Sequence, residues 1–203
     1  MELHCIRHGI TKELLSGRFQ GNSDAELAPD EIERIKAVRF DASGYEAVYC
    51  SPLGRCVQTA AHLSFEDPTY DQRIEERGLG IFQGLTQEEC RARYPGEFTA
   101  FQELDADFQV PGGESRSQQL ARVLSWLEDV SHLGLVLAVT HGGVVDLLYR
   151  IATAGVLHGG TRLFAGDNLS MSQFDVDWPD IRLLDFNIPL ETAALHAGQK
   201  GIQ

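Results

Sequence analysis

The sequence predicts an α/β protein, in which helices pack on a central β-sheet. Two apolar stretches, residues 3–7 and 135–140, have the length and composition of buried strands, and each is followed directly by a histidine and a glycine. Stretches with apolar residues at helical spacing lie between and after them. Because ligands of open α/β sheets bind at the carboxyl ends of strands, we expect His8 and His141 at one edge that forms a binding site.

The other elements follow from apolar periodicity and from the residues that begin helices. Residues 17–24 are rich in turn-forming residues and are predicted to form a loop. Pro29 fits the first turn of a helix, and Asp30 and Glu31 suit the positive end of its dipole. The other predicted strands are residues 47–50, 69–74, 169–174 and 181–186. The other predicted helices are residues 53–63, residues 144–152 and a helix that starts after 111–115. The apolar face of this last helix is formed by Leu120, Val123, Leu124, Leu127 and Val130.

No linker or repeat divides the chain, so residues 1–203 are predicted to form one domain, with a frayed tail at 192–203. Residues 86–112 are predicted to form a lid inserted over the site, helical in pieces and broken at Pro95 and Gly96. The charged residues of this lid are the cations Arg91 and Arg93 and the carboxylates Glu88, Glu89, Glu97, Glu103, Asp105 and Asp107.

Composition and charge exclude several classes of partner. A net charge of −13 argues against nucleic acid and anionic membranes as partners, whereas a local arginine cluster can still bind a small anion. No apolar run approaches the roughly 20 residues that a membrane span needs. The first residues lack the basic start and apolar run of a signal peptide, so we expect a cytoplasmic protein. The four cysteines form no Cys-x-x-Cys pair, and we expect them to be reduced thiols.

Short motifs occur in a fixed order along the chain. They are Arg7-His8-Gly9 followed by Thr11, Gly17-Arg18-Phe19-Gln20-Gly21, Tyr49-x-Ser51-x-x-x-Arg55-x-x-Gln58-Thr59-Ala60, Gly80-x-Phe82-x-Gly84, Pro111-Gly112-Gly113-Glu114-Ser115 and Thr140-His141-Gly142. Together they resemble the histidine phosphatase superfamily, which has the phosphoglycerate mutase-like fold. The resemblance covers about residues 3–174 and implies a three-layer sandwich with a mostly parallel central sheet flanked by helices.

The resemblance implies hydrolysis of a small phosphorylated metabolite through a phosphohistidine intermediate, with no cofactor and no metal ion. Arg7 and Arg55 would hold the phosphoryl group, because the arginine fork donates two parallel hydrogen bonds to phosphate and keeps its charge. His8 would be the nucleophile, since a neutral imidazole attacks readily near pH 7, and His141 would donate to the phosphoryl oxygens. The same motifs imply a weaker set of phosphate-site candidates: Gly9, Thr11, Arg18, Gly142 and Asn168.

A phosphomonoesterase also needs an acid that protonates the leaving oxygen. A carboxylic acid suits this role when a nearby anion keeps it protonated. The register of the family assigns the role to Glu76, and the neighbouring Glu75 is the alternative. The chain departs from the family at Leu14, where an asparagine usually contacts the phosphate, and this leaves phosphate affinity and fine specificity open.

Alternatives to a phosphatase remain. A cofactor-dependent phosphoglycerate mutase must grip a substrate with both a carboxylate and a phosphate, and the acidic, short lid favours the phosphatase over it. A second alternative is a catalytically weak binding protein on the same fold, because of Leu14. A third takes Cys5, His8 and His141 as a metal site, although their spacing resembles no known ligand set. The oligomeric state, including a homodimer, is left open.

Overall fold

The computed structural model describes residues 1–103, 105–154 and 166–192. Apart from Thr192, the tail that was predicted to fray lies outside these residues. The described strands form a single six-stranded sheet in the order β3-β2-β4-β1-β5-β6. Their bounds are β1 Glu2–Arg7, β2 Ala47–Cys50, β3 Thr69–Tyr70, β4 Leu135–Thr140, β5 Ser170–Asp177 and β6 Asp180–Pro189.

The sheet is mostly parallel, as predicted, and its register positions the two histidines. The β1–β4, β2–β4 and β2–β3 pairings are parallel, whereas β5 runs antiparallel to both β1 and β6. In the β1–β4 pair Arg7 lies opposite Thr140, and the next backbone amide, that of His8, donates to the Thr140 carbonyl at 3.0 Å. His8 and His141 therefore leave the sheet side by side at one edge.

Helices cover both faces of this sheet and give the three layers that the fold class requires. The described helices are α1 Lys12–Leu15, α2 Pro29–Ala37, α3 Gly54–His62, α4 Gln87–Arg93, α5 Pro95–Gln102, α6 Arg116–Val130 and α7 Gly142–Ala154. On one face Trp126 of α6 and Leu148 of α7 pack against Leu3 and Phe174. On the opposite face α2 and α3 pack against the sheet in a second apolar core. The α/β prediction is confirmed.

The predicted strand at residues 69–74 differs in the structure. Only Thr69–Tyr70 pairs with β2, and Gln72–Ile74 forms a 3-10 turn instead. The reason is local: the Asp71 side chain accepts a hydrogen bond from the Arg73 amide at 2.8 Å and caps the turn. The chain consequently leaves the sheet before Glu75 and Glu76, which lie on an irregular segment.

Two short helices, α4 and α5, occupy the predicted lid region. Thr86 and Glu89 form a reciprocal capping box that begins α4, and Pro95 occupies the first turn of α5, so the break falls at Tyr94. Phe98 is buried with Phe82 in a separate apolar cluster that supports both helices. Among the described residues, no helix combines the length and apolar character that crossing a bilayer requires. All four cysteines are buried free thiols, as predicted.

Candidate active site

His8 and His141 meet at the carboxyl edge of the sheet, with ring centroids 5.2 Å apart. Both are buried, at 3% and 0% exposure. Arg55, which is also fully buried, lies between them, and its Nε is 3.2 Å from His8 Nε2 and 3.2 Å from His141 Nδ1. The structure thus brings together one guanidinium and two imidazoles from three distant motifs.

The hydrogen bonds of each ring assign its proton. His8 Nδ1 is 2.7 Å from the Gly9 carbonyl and must donate to it, which leaves the lone pair on Nε2, the atom that faces Arg55. His141 Nδ1 accepts from Arg55, so its Nε2 carries the proton and donates to Ser51 Oγ at 2.7 Å. The basic nitrogens of both rings therefore face a common point beside the guanidinium.

The surroundings of both rings favour the neutral imidazole. Burial lowers the pKa of His8 well below its ordinary value, and His141, Arg55 and Arg7 lower it further. Burial also lowers the pKa of His141 well below its ordinary value, with added effects of Arg55, Arg122 and Arg7. A neutral His8 keeps its Nε2 lone pair available for bonding to an electrophile.

Arg55 is held by backbone oxygens of the loop between α1 and α2. Its Nη1 donates to the Ser23 carbonyl at 2.8 Å, and its Nη2 donates to the Gly21 carbonyl at 2.7 Å. Arg7 donates to the Gly166 carbonyl and packs over the start of α7. A Cβ at Gly142 would lie 3.1 Å from Arg7 Nε, so glycine there allows the arginine to approach closely.

Glu76 extends from its irregular segment to the first turn of α7. Its Oε2 accepts from the Gly143 amide at 3.0 Å, and its Oε1 accepts from the Arg77 amide at 2.8 Å. A side chain at position 143 would collide with this carboxyl, so the second glycine after His141 is required by Glu76. Gln119 Nε2 also donates to Glu76 Oε1, at 3.4 Å.

Glu75 and Glu76 differ in the cavities that they border. Glu76 lines a cavity of about 480 Å³ together with Arg7 and His8, whereas Glu75 lines a second cavity, which Glu76 also borders. Burial raises the pKa of Glu75, and Arg122 opposes that shift. Of the two carboxylates, only Glu76 shares a cavity with the nucleophile candidate His8.

The other predicted phosphate-site residues either line the cavity or stabilise the chain around it. Thr11 is fully buried and caps α1 by accepting from the Leu14 amide, and Asn168 Nδ2 donates to the His8 carbonyl at 2.9 Å. A Cβ at Gly9 would lie 2.8 Å from Ile35 Cδ1, so this glycine makes room for α2. Arg18 does line the cavity, but it donates to Glu89 at 2.7 Å and to the Gly84 carbonyl at 2.6 Å.

The cavity beside His8 is more basic than the sequence of the lid suggests. Its charged lining residues are Arg7, Arg18, Arg77, Arg116, Glu76 and Asp146. Of its described residues, the lid contributes only Gln87, Phe98, Phe101 and Gln102, and none of its carboxylates lines this space. The expectation that the lid would oppose a doubly anionic substrate is therefore not met, because the lid's carboxylates do not line the cavity and Glu89 is paired with Arg18.

Leu14 and several aromatic rings give the cavity an apolar wall. Leu14, at the position where an asparagine usually contacts phosphate, lines the cavity with Phe19, and Phe101 stacks against Phe98 with centroids 6.2 Å apart. Among the described residues, no group of three or more His, Cys, Asp or Glu side chains is arranged to hold a metal ion. Cys5 lies in the apolar core under the sheet, so it does not join the histidines.

Several residues of the site were missed by the sequence reasoning. Ser51 belongs to a quoted motif, but only the structure shows its bond to His141. Gln119 and Asp146 are polar residues at buried positions of otherwise apolar helix faces, and that interruption was the available signal. Arg122 carried no such signal, since a lone arginine on a helix is usually solvated.

Comparisons with known proteins identify the family of this chain. The profile described as histidine phosphatase superfamily (branch 1) matches residues 3–189. Phosphoglycerate mutase-like protein 4 of Arabidopsis thaliana is 29% identical and covers 98% of this chain and 92% of its own length. The metal-independent phosphoserine phosphatase of the same plant is 32% identical, over 75% of this chain and 69% of its own length.

The fold comparison gives the same family. The structure of a mycobacterial glucosyl-3-phosphoglycerate phosphatase in complex with VO3 superposes with a TM-score of 0.78 at 27% identity. The match covers 92% of this chain and 98% of that one. With the profile match over nearly the whole chain and the two histidines at one sheet edge, this protein belongs to branch 1 of the histidine phosphatase superfamily.

Proposed function

We propose that this protein is a metal-independent phosphatase that hydrolyses a small phosphorylated metabolite through a phosphohistidine on His8. The observation that carries the proposal is the position of Arg55, whose Nε is 3.2 Å from the basic nitrogens of both His8 and His141. A phosphoryl dianion bound there would meet a guanidinium, a nucleophilic nitrogen and a second imidazole together. Phosphatases among the relatives in sequence and fold support the reaction class.

In the first step His8 Nε2 attacks the phosphorus, and the bond from phosphorus to the ester oxygen breaks. Arg7 and Arg55 balance the charge on the phosphoryl oxygens. His141 donates to one of them from Nδ1 as charge moves, after the ring proton has passed from Nε2 to Nδ1 and the Ser51 hydroxyl has become the donor to Nε2. Glu76 gives its proton to the departing oxygen, because the nearby dianion favours the protonated form of its carboxyl. The Gly143 amide holds this carboxyl at the cavity wall.

In the second step water attacks the phosphorus, and the bond between phosphorus and His8 Nε2 breaks. The Glu76 carboxylate accepts a proton from that water, so the acid of the first step is restored. Inorganic phosphate leaves, and His8 returns to its neutral form. The Gly9 carbonyl keeps the proton on Nδ1 throughout, which directs both bond changes to Nε2.

The test of the proposal is a screen of the purified protein against phosphorylated metabolites that includes O-phosphoserine, 3-phosphoglycerate, sugar phosphates and p-nitrophenyl phosphate. We expect net release of inorganic phosphate, because a two-step reaction with water as acceptor ends in hydrolysis. If the protein hydrolyses none of these esters, the hypothesis of a catalytically weak binding protein is favoured instead.

A phosphoglycerate mutase remains the second candidate, because Arg18, Arg77 and Arg116 line the cavity and could hold a second anionic group. One sequence relative is also called phosphoglycerate mutase-like. We expect release of phosphate from 3-phosphoglycerate to exceed its conversion to 2-phosphoglycerate. Rapid interconversion of the two isomers, stimulated by the bisphosphate, would establish the mutase instead.

We expect hydrolysis to survive exhaustive dialysis against EDTA to within about twofold, because arginines do the charge balancing that a divalent cation does elsewhere. Phosphate release is measured before and after chelation, and again after adding Mg²⁺, Mn²⁺ or Zn²⁺. Activity that chelation removes and one of these ions restores would contradict the proposed chemistry.

A further inference from the structure

The segment that carries Glu76 has no secondary structure of its own, so its backbone oxygens need partners from elsewhere. It follows the 3-10 turn Gln72–Ile74 and continues irregularly to Leu79. Irregular segments that hold a functional group must be fixed by their surroundings if the group is to keep its geometry. The source of those partners therefore decides how accurately Glu76 is held.

Arg122 of α6 supplies most of these partners. Its Nη1 donates to the carbonyls of Arg73 and Glu75, both at 2.8 Å, and its Nη2 donates to the Glu76 carbonyl at 3.2 Å. The hydroxyl of Thr140, the residue before His141, donates to the intervening Ile74 carbonyl at 2.7 Å. Four consecutive carbonyls, 73 to 76, are thus bound by two side chains.

Glu114 fixes the guanidinium that makes these contacts. Its two carboxylate oxygens accept from Arg122 Nε and Nη2, each at 2.8 Å, in a bidentate pair. The Glu114 amide also donates to the Gly78 carbonyl at 2.8 Å, on the far side of Glu76 along the segment. Both side chains are about one-fifth exposed, so the pair is shielded from most of the solvent.

We propose that Arg122, oriented by Glu114, is a positioning residue that holds the Glu76 carboxyl at the distance from the leaving oxygen that proton transfer requires. The inference rests on the proposed function, in which Glu76 is the proton donor. Arg122 does not line the cavity beside His8. Its positive charge also lowers the pKa of His141, but Arg122→Lys keeps that charge, so the effect of this change on the reaction passes through the Glu76 segment. Lysine cannot replace it, because a single ammonium cannot bridge three carbonyls and a carboxylate in one plane.

The test is Arg122→Lys, assayed with p-nitrophenyl phosphate and with the alkyl phosphate that the wild-type protein hydrolyses best. Misplacement of a catalytic group by about 1 Å can cost about 10²-fold, so we expect a loss of about 10- to 100-fold in kcat/KM with the alkyl ester. With p-nitrophenyl phosphate, whose leaving group needs little protonation, we expect a loss of less than about threefold.

A double-variant cycle separates positioning from general support of the fold. If Arg122 acts through Glu76, adding Arg122→Lys to Glu76→Gln should lower the alkyl activity by less than about threefold, because the two losses share one cause. Equal losses on both substrates, or losses that multiply in the double variant, would overturn the inference. A wild-type protein that hydrolyses no phosphomonoester would instead refute the proposed function.

Two further variants guard against simple unfolding. Arg73→Lys is the matched control, because Arg73 also ties this segment to α6, through Asp129 and Ser125, but binds no carbonyl next to Glu76. It should not alter the ratio of the two activities. Glu114→Gln keeps Arg122 and removes only the charge that orients it, so it should lower the alkyl activity selectively, by less than Arg122→Lys. A change in the ratio caused by Arg73→Lys, or none caused by Glu114→Gln, would count against the inference.

Discussion

Replacing His8 by alanine is expected to lower the turnover of phosphomonoesters by about 10⁴-fold or more, because it removes the atom proposed to bond to phosphorus. The neighbouring groups remain in place, since Arg55 keeps its bonds to the Gly21 and Ser23 carbonyls. Binding of inorganic phosphate should therefore survive in the variant. Turnover is measured as phosphate release, and phosphate binding by calorimetry.

The intermediate provides a second readout for the same residue. A reaction quenched during turnover should contain phosphate on His8 that is labile in acid and stable in alkali. His4→Gln is the matched control, since His4 lies on β1 but nearer its amino end, where it contacts Tyr45 and Glu2. It should retain both label and turnover. Label on Ser51 or on a cysteine, or normal turnover by His8→Ala, would refute the assignment.

Glu76→Gln is expected to lower the hydrolysis of alkyl phosphates by about 10²–10⁴-fold, roughly 3–5 kcal/mol of barrier, because it removes the transferable proton and keeps the shape. An alkoxide is a very poor leaving group and needs that proton. A p-nitrophenolate departs almost unaided, so the loss with p-nitrophenyl phosphate should be much smaller. The ratio of kcat/KM for the two substrates is the measurement.

Glu75→Gln is the matched control for this prediction. Glu75 borders only the second cavity, so its amide variant should leave both activities nearly unchanged. If Glu75→Gln shows the dependence on the leaving group, the adjacent carboxylate is the acid. If Glu76→Gln lowers both activities equally, Glu76 has another role, such as the orientation of α7 through its bond to the Gly143 amide.

Much of the fold was predictable because its signals are local. The apolar stretches that end at His8 and His141 have the composition of buried parallel strands, and the structure pairs them as β1 and β4. The 69–74 strand was the main error, since the side-chain cap from Asp71 competes with strand pairing at a sheet edge. Such competition depends on whether a neighbouring strand is available, and the linear sequence does not contain that information.

The candidate site, like the fold, was predictable from the sequence only in part. Residue types and motif order indicated His8, Arg55, His141 and Glu76, which carry groups suited to phosphoryl chemistry. The supporting contacts lie between positions far apart in the chain, such as the bond of Arg122 to the Glu75 carbonyl across 47 residues. No spacing rule predicts such a bond, because it depends on how a helix packs beside an irregular segment.

What the sequence by itself determined is the α/β architecture, the edge at which two histidines emerge, and the chemistry of the side chains placed there. What only the tertiary structure decided is the direction of side chains. None of the lid carboxylates lines the cavity beside His8, only Glu76 of the two adjacent carboxylates borders that cavity, and the absence of a side chain at Gly143 makes room for Glu76. The physical reason is that residue type and periodicity are properties of neighbours along the chain. The direction of a side chain is set by packing between elements that the sequence keeps far apart.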